Sequence, residues 1–492
     1  MRQNVKGFLH IFTSNWINLL VNFISFPIIA RSLSYEHYAT YGQVVLYGSF
    51  FQVLFGLGIV NVINIIFATF EKRIKDVFQT GLLVIALSNI GGILLVLLFG
   101  YYNNMVFNNP DFFYNLLFYL PAIFLINIIY YVFATFVFIE KSGVVSAINI
   151  CFNILKALGF VVIASKFKTS QSILIWISLI SLLQFTTFLF FLPKGYLRMK
   201  FSMKVIDPEI RKQMLQVGMP MMMTGLIAIG IIQVSSVIIS HLLSPKDFSI
   251  FRNGAIEFPF VSIIFSSVTT VMMPTYSKMI TKNEIGTLLS VKRKINNYTA
   301  LIIFPVCFML ALFSKPLIIL YLSTKYELSA GVFAIYNLAL LVRFNDYQDL
   351  LVISKKTNLI LLNNLVFFLI SIPLSYWMID HFGIMGAVVS FLMTLYLLAS
   401  GLVVSTIYAL KIKLTDYFDL PVLLRALIVN ILLAALFYPI VSRYLDHYVI
   451  VFGLIVCYLI ALHIVYLFSG LQAYREIYEK VMQKIKQMMH RG

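Results

Sequence analysis

The chain has 492 residues, of which 61% are hydrophobic and only 11% charged, with a formal net charge of +18. An ordinary soluble domain carries about 25% charged residues, and a soluble chain of this length divides into separate cores joined by polar linkers. No such linkers occur, so a soluble enzyme is excluded. The Lys and Arg fall in short clusters between apolar runs, which excludes a basic nucleic-acid-binding domain and fits loops beside an anionic membrane leaflet.

A membrane crossing needs about 20 apolar residues. Runs of that kind predict helices at 8–30, 39–67, 77–101, 113–139, 143–165, 172–192, 214–240, 248–277, 296–314, 328–353, 357–379, 383–409, 421–442 and 447–469. The charged start with Arg2 and Lys6 runs into an apolar stretch too long for a signal peptide, so the first run is expected to be an uncleaved crossing. About 27 Lys and Arg fall on one side of this topology, among them Lys292, Arg293 and Lys294 in one cluster, against about seven on the other. The positive-inside rule then puts both termini in the cytoplasm. The tail after Gly470 shows helical spacing of Tyr474, Ile477, Tyr478, Val481 and Ile485 against Lys480, Lys484 and Lys486, the pattern of an interfacial helix on anionic lipid. Cys151, Cys307 and Cys457 lack ligand spacing and are expected to be small buried hydrophobes.

A repeat links the first and seventh runs. Arg31-Ser-Leu-Ser-Tyr-Glu-His-Tyr-Ala-Thr-Tyr41 aligns with His241-Leu-Leu-Ser-Pro-Lys-Asp-Phe-Ser-Ile-Phe251 at a constant offset of 210, pairing Leu33 with Leu243, Ser34 with Ser244 and Tyr38 with Phe248. Six runs separate the copies, and an even number preserves orientation, so two parallel six-helix bundles are implied. The expected domains are 1–192 (first bundle), 193–213 (cytoplasmic linker), 214–410 (second bundle), 411–469 (two peripheral helices) and 470–492 (amphipathic tail).

The first run closing on Ala30-Arg31-Ser-Leu-Ser-Tyr-Glu-His-Tyr38, the Gly56-Leu-Gly58 of the second and the Phe382-Gly-Ile-Met-Gly-Ala387 before the twelfth resemble the Wzx-type polysaccharide-biosynthesis flippases, within the multidrug/oligosaccharidyl-lipid/polysaccharide exporter superfamily. That resemblance implies an all-α polytopic membrane protein of about fourteen helices, two six-helix bundles around a central cavity with two peripheral helices. It also implies movement of undecaprenyl-pyrophosphate-linked repeat units of O-antigen, capsule or a related polysaccharide across the bacterial cytoplasmic membrane. The expected partners are the lipid-linked oligosaccharide, membrane lipids and other polysaccharide assembly proteins.

Charges inside crossings are costly, about 2.5–3.5 kcal/mol each on insertion scales, and are functional candidates by default. Lys156, Arg252 and Arg343 are the candidates for binding the pyrophosphate and acidic sugars, arginine because its planar fork grips phosphate. Glu257, followed by the potentially kinking Pro259, and Asp346 and Asp349 are candidates to bind a coupling H⁺ or Na⁺. Arg343, Asp346 and Asp349 stand at successive i, i+3 spacing, which on a helix puts them on one broad face. The bland alternative is that Arg343 neutralises Asp346 and the others serve as interior glue. Arg31 is a candidate outer gate, or an interfacial anchor. No Walker A, GxSxG or HExxH pattern occurs, so the chain is not expected to be an enzyme or to need a cofactor or metal. A drug/cation antiporter would show an acidic cavity and usually twelve crossings. A polysaccharide polymerase or ligase would carry a large Arg-rich outer loop, and the outer loops here are short.

Overall fold

The computed structural model describes residues 2–107, 110–193, 196, 206–445 and 447–489. In a bilayer core an unsatisfied backbone group costs several kcal/mol, so apolar runs of this length must close their hydrogen bonds within themselves as helices. Among the described residues, eleven helices are long and apolar enough to cross a membrane. One of them, Thr357–Leu410, has 54 residues and is broken at Gly383 (φ 56°, ψ −134°), so it supplies two crossings. The eighth and tenth predicted crossings are interrupted, which completes fourteen. Side chains such as Phe190 (83% exposed) and Val449 (88%) stand on outer faces, tolerable only where the surroundings are as apolar as they are.

The chain forms two compact units, Met1–Ser249 and Ile250–Gly492. The first contains α1 (Arg2–Ser32), α2 (Tyr35–Phe55), α3 (Ile59–Thr69), α4 (Ile74–Phe107), α5 (Pro110–Phe138), α6 (Ser142–Lys166), α7 (Ser170–Phe191) and α8 (Pro208–Leu242). Much of the expected linker 193–213 lies outside the described residues. α8 starts on Asp207, whose carboxylate accepts from the Glu209 and Ile210 amides at 3.0 Å, with Pro208 in the first helical turn, a standard start. The second predicted crossing divides at Gly56-Leu-Gly58. Gly58 has φ 65°, and a Cβ there would come within 2.1 Å of the Gly218 carbonyl oxygen, so only glycine allows this loop to lie on α8.

The repeat is visible as geometry. The Ser34 hydroxyl accepts from the His37 amide (3.2 Å) and the Ser244 hydroxyl from the Asp247 amide (3.1 Å), capping α2 and α9 (Pro245–Gly254) alike. The two turns also meet: Ser249 Oγ donates to the Tyr35 carbonyl at 2.8 Å, and the Phe248 ring packs on Gly42.

The second unit contains α10 (Pro259–Thr281), α11 (Ile285–Leu312), α12 (Ser314–Leu322), α13 (Ser329–Tyr336), α14 (Asp349–Ile353), α15 (Thr357–Leu410), α16 (Leu414–Tyr417), α17 (Leu420–Arg443), α18 (Tyr448–Phe468) and α19 (Gln472–Met489). α19 is the predicted amphipathic tail. Its first turns also contact protein: Glu476 pairs with Lys294 (2.6 Å) and accepts from Tyr298 (2.6 Å), and Tyr474 bonds His463 (2.6 Å). The side chains of Ile477, Lys480, Val481 and Lys484 to Met489 lie outside the described ones. Of the cysteines only Cys307 is buried; Cys151 and Cys457 are exposed, on helix faces where an apolar surrounding makes burial unnecessary.

Candidate functional site

Proline lacks the N–H that a helix interior needs and pushes the preceding residue out of helical conformation. Pro259 does this in the eighth crossing, and Ala255–Phe258 is irregular between α9 and α10. The tenth crossing breaks as well. α13 tightens into a 3-10 turn over Asn337–Val342, residues 343–348 are non-helical, and α14 resumes at Asp349. Irregular backbone at membrane depth must find internal partners. Asn337 supplies one, its Nδ2 donating to the Ile256 carbonyl (3.3 Å) and to Phe333 (2.9 Å).

The charges sit at these two breaks. Glu257 and Arg343 come from different interruptions and form an ion pair at 3.1 Å, with side chains 28% and 35% exposed. Arg343 therefore pairs with Glu257 and not with Asp346. The shared helical face expected for Arg343, Asp346 and Asp349 does not form, because residues 343–348 leave the helix and each side chain finds its own partner. Arg343 and Asp346 line a cavity of about 300 Å³ together with Leu395, Leu398 and Leu402 of α15. Tyr336, stacked on Phe391 at 4.6 Å, lies within electrostatic reach of Glu257, Arg343 and Arg252. Arg252 is half-buried in the last turn of α9 and lines neither this cavity nor the one around Lys156 described below.

Behind Asp346 lies a buried charge that the sequence reading assigned to a loop. Lys292 is 2% exposed, two turns inside α11, and its Nζ donates to Asp349 Oδ2 at 2.5 Å and to the Asp346 carbonyl at 2.9 Å. The Tyr276 and Tyr417 rings flank the ammonium at 5.8 and 5.6 Å. Asp349 is 4% exposed and so does not face water near Lys355 and Lys356. The Asp346 carboxylate accepts from Thr269 (3.2 Å) and from the Gln348 amide (2.9 Å), and this residue lines both the larger cavity and a space of about 20 Å³ beside Lys292. The missed signal was phase: Lys292 lies four residues after Leu288 and four before Asn296, both buried, and so belongs to the inward face of α11.

In the first unit, Lys156 lies in mid-α6 and lines a cavity of about 380 Å³ between α1, α5, α6 and α7. Arg31 is exposed in the last turn of α1 and lines no cavity described here.

The family model described as polysaccharide biosynthesis protein matches residues 28–330, well over half of the chain. The chain belongs to that family. Its fold is similar to that of the lipid II flippase MurJ in an inward closed conformation, with a TM-score of 0.66 at 16% identity, covering 94% of this chain and 99% of the other. It is also similar to the eukaryotic MATE transporter AtDTX14 (TM-score 0.51, 12% identity, 86% and 100% covered). A superfamily transporter from Pyrococcus furiosus, titled for the reverse polarity of its binding pocket, matches with a TM-score of 0.52 at 11% identity, covering 82% and 95%. No curated relative matches the chain at a comparable level. This family member is thus a multi-pass helical membrane protein of flippase and exporter fold. Its second unit holds one partly exposed and one buried ion pair at its two broken crossings.

Proposed function

We propose that the protein translocates undecaprenyl-pyrophosphate-linked oligosaccharide repeat units, destined for O-antigen, capsule or a related polysaccharide, across the bacterial cytoplasmic membrane by alternating access, with both termini cytoplasmic. The observation that carries this reading is the Arg343–Glu257 pair, held by two interrupted crossings and open to a cavity. Arg343 holds Glu257 through one guanidinium nitrogen at 3.1 Å, and its planar fork can exchange that single bond for a bidentate grip on a phosphate. The exchange leaves Glu257 without its cation, and H⁺ or Na⁺ is the replacement at hand. Substrate entry and ion uptake are coupled at one side chain in this scheme. Asp349 is the weaker coupling candidate, since Lys292 already supplies its counter-charge. A drug/cation antiporter would need carboxylates free for cationic cargo, and Glu257 and Asp349 each already hold a cation, which leaves Asp346 for that role.

The test is complementation of a strain lacking the chain. Arg343→Ala abolishes surface polysaccharide while the protein stays at its normal level in the membrane, and Arg343→Lys restores part of it, charge without fork. Full complementation by Arg343→Ala would end the cavity role.

A further inference from the structure

Three amides recur along α1 at Asn15, Asn18 and Asn22, the i, i+3, i+7 spacing of a single helical face. On α6, Asn149 and Asn153 stand one turn apart with Lys156 three residues on, and Gln184 of α7 completes the set. All seven line the one cavity of about 380 Å³ in the first unit, a size within the roughly 300–1,000 Å³ of small-ligand sites.

Amides inside membrane proteins ordinarily join helices by hydrogen bonds. These mostly do not. The one cross-helix bond among them runs from Gln184 Nε2 to Asn149 Oδ1 at 2.7 Å, and Asn153 turns back to the Asn149 carbonyl of its own helix at 2.9 Å. Asn18 Oδ1 is buried with no partner among the described residues. The Lys156 ammonium likewise has no acceptor among them, its carbonyl alone being engaged, by the Trp176 indole N–H at 3.1 Å.

An uncharged amide both donates and accepts, as a sugar hydroxyl does. A diphosphate asks instead for several converging cations, and this cavity has one. We propose that it binds a sugar ring carrying a single acidic substituent, the hydroxyls on the amides of α1 and α6 and the carboxylate on Lys156. The inference rests on the reading of the chain as a carrier of lipid-linked saccharide and names where one sugar of that cargo is recognised.

Trp176, whose indole N–H holds the Lys156 carbonyl, places a reporter directly behind the cavity lining. The full chain, with Trp16→Phe and Trp377→Phe to leave one indole, is titrated in lipid nanodiscs with methyl glucuronide, methyl glucoside and inorganic pyrophosphate while tryptophan emission is read. The glucuronide gives a saturable change, the glucoside the same change roughly tenfold more weakly, and pyrophosphate none; tenfold is the discrimination one lost polar contact supplies. Asn22→Leu with Asn153→Leu, replacements that suit a membrane helix, weakens both sugars at least roughly tenfold. Lys156→Gln, which keeps an amide, brings the glucuronide down to the level of the glucoside. A response to pyrophosphate without one to sugar, no sugar response at all, or titrations unmoved by the leucine pair would each overturn the proposal. The outcome is separable from that of the Arg343 test: sugar binding with an active Arg343→Ala variant refutes the translocation scheme alone, and loss of sugar binding with an inactive Arg343→Ala refutes the cavity alone.

Discussion

Lys292→Met removes one partner of a pair whose two side chains are 2% and 4% exposed. Asp349 is then a buried carboxylate without a counter-charge, which costs about 3–5 kcal/mol. Asp349→Leu strands the ammonium between Tyr276 and Tyr417 at a similar cost. The double variant has no charge left to strand. It loses the Lys292 bond to the Asp346 carbonyl and the Leu350 amide bond to Asp349 Oδ1 (2.6 Å), each worth about 1 kcal/mol, while apolar replacement of a buried pair is often neutral or better. Its expected cost is therefore about 0–2 kcal/mol, and the coupling between the sites is about 4 kcal/mol or more. For a folding unit of this size each kcal/mol moves the melting temperature by about 2–4 °C. The single variants should melt roughly 6–20 °C lower and the double variant close to the parent, measured in one detergent or nanodisc preparation. Single losses under about 1 kcal/mol that simply add in the double variant would refute the picture of a dry, mutually dependent pair. Polysaccharide complementation by the double variant then separates roles: a stable but inactive protein makes the pair part of the transport cycle, and an active one makes it structural.

Gly58→Ala should cost at least about 2 kcal/mol, from the left-handed backbone together with a Cβ driven into the Gly218 carbonyl, whereas Gly286→Ala, with nothing within 4 Å, should be neutral within about 0.5 kcal/mol; equal yields and melting of the two would contradict the packing of α3 on α8. At Asp207, the Ile210 amide above all, and then the Arg73 guanidinium, hold the carboxyl below the usual range. A depressed value stabilises the fold above the unfolded-state pKa of about 3.9, and that contribution fades as pH falls through the lower folded value. Asp207→Ala should thus melt below the parent by about 1 kcal/mol, the loss of an N-cap, uniformly from pH 8 to 5. The gap should close only below about pH 4, and a gap that widens on acidification would show that another group controls the region.

The apolar runs carried the crossings themselves, because hydropathy over 20 residues depends little on tertiary context. Pro259 marked its own break. The break at 343–348 has no glycine or proline to announce it; its signal is the polar string Arg343-Phe-Asn-Asp-Tyr-Gln348 inside an apolar run, which spacing rules read as a helical face. Lys292 was hidden for the opposite reason, since the adjacent Arg293 and Lys294 made all three look like a loop, and only the helical phase of α11 tells inside from outside. Amides escaped because they carry no charge and barely lower a hydropathy average, so the α1 and α6 rows emerge only when helices are set side by side. The tail shows a further limit: a periodic apolar face states that something covers it, while Glu476 meeting Lys294 and Tyr298 is decided by where α11 runs.

The reversal at Gly383 bears on how tightly two crossings can be joined. Its backbone lies in a region open to glycine alone, and a Cβ on Gly386 would come within 1.8 Å of the Met378 carbonyl oxygen, so the eleventh and twelfth crossings touch immediately after they part. The exposed Asp380 and His381 mark this shared end with polar side chains. A side chain at position 386 would have to part the two crossings, so the Phe382-Gly-Ile-Met-Gly-Ala387 sequence sets how closely two consecutive helices lie at their shared end.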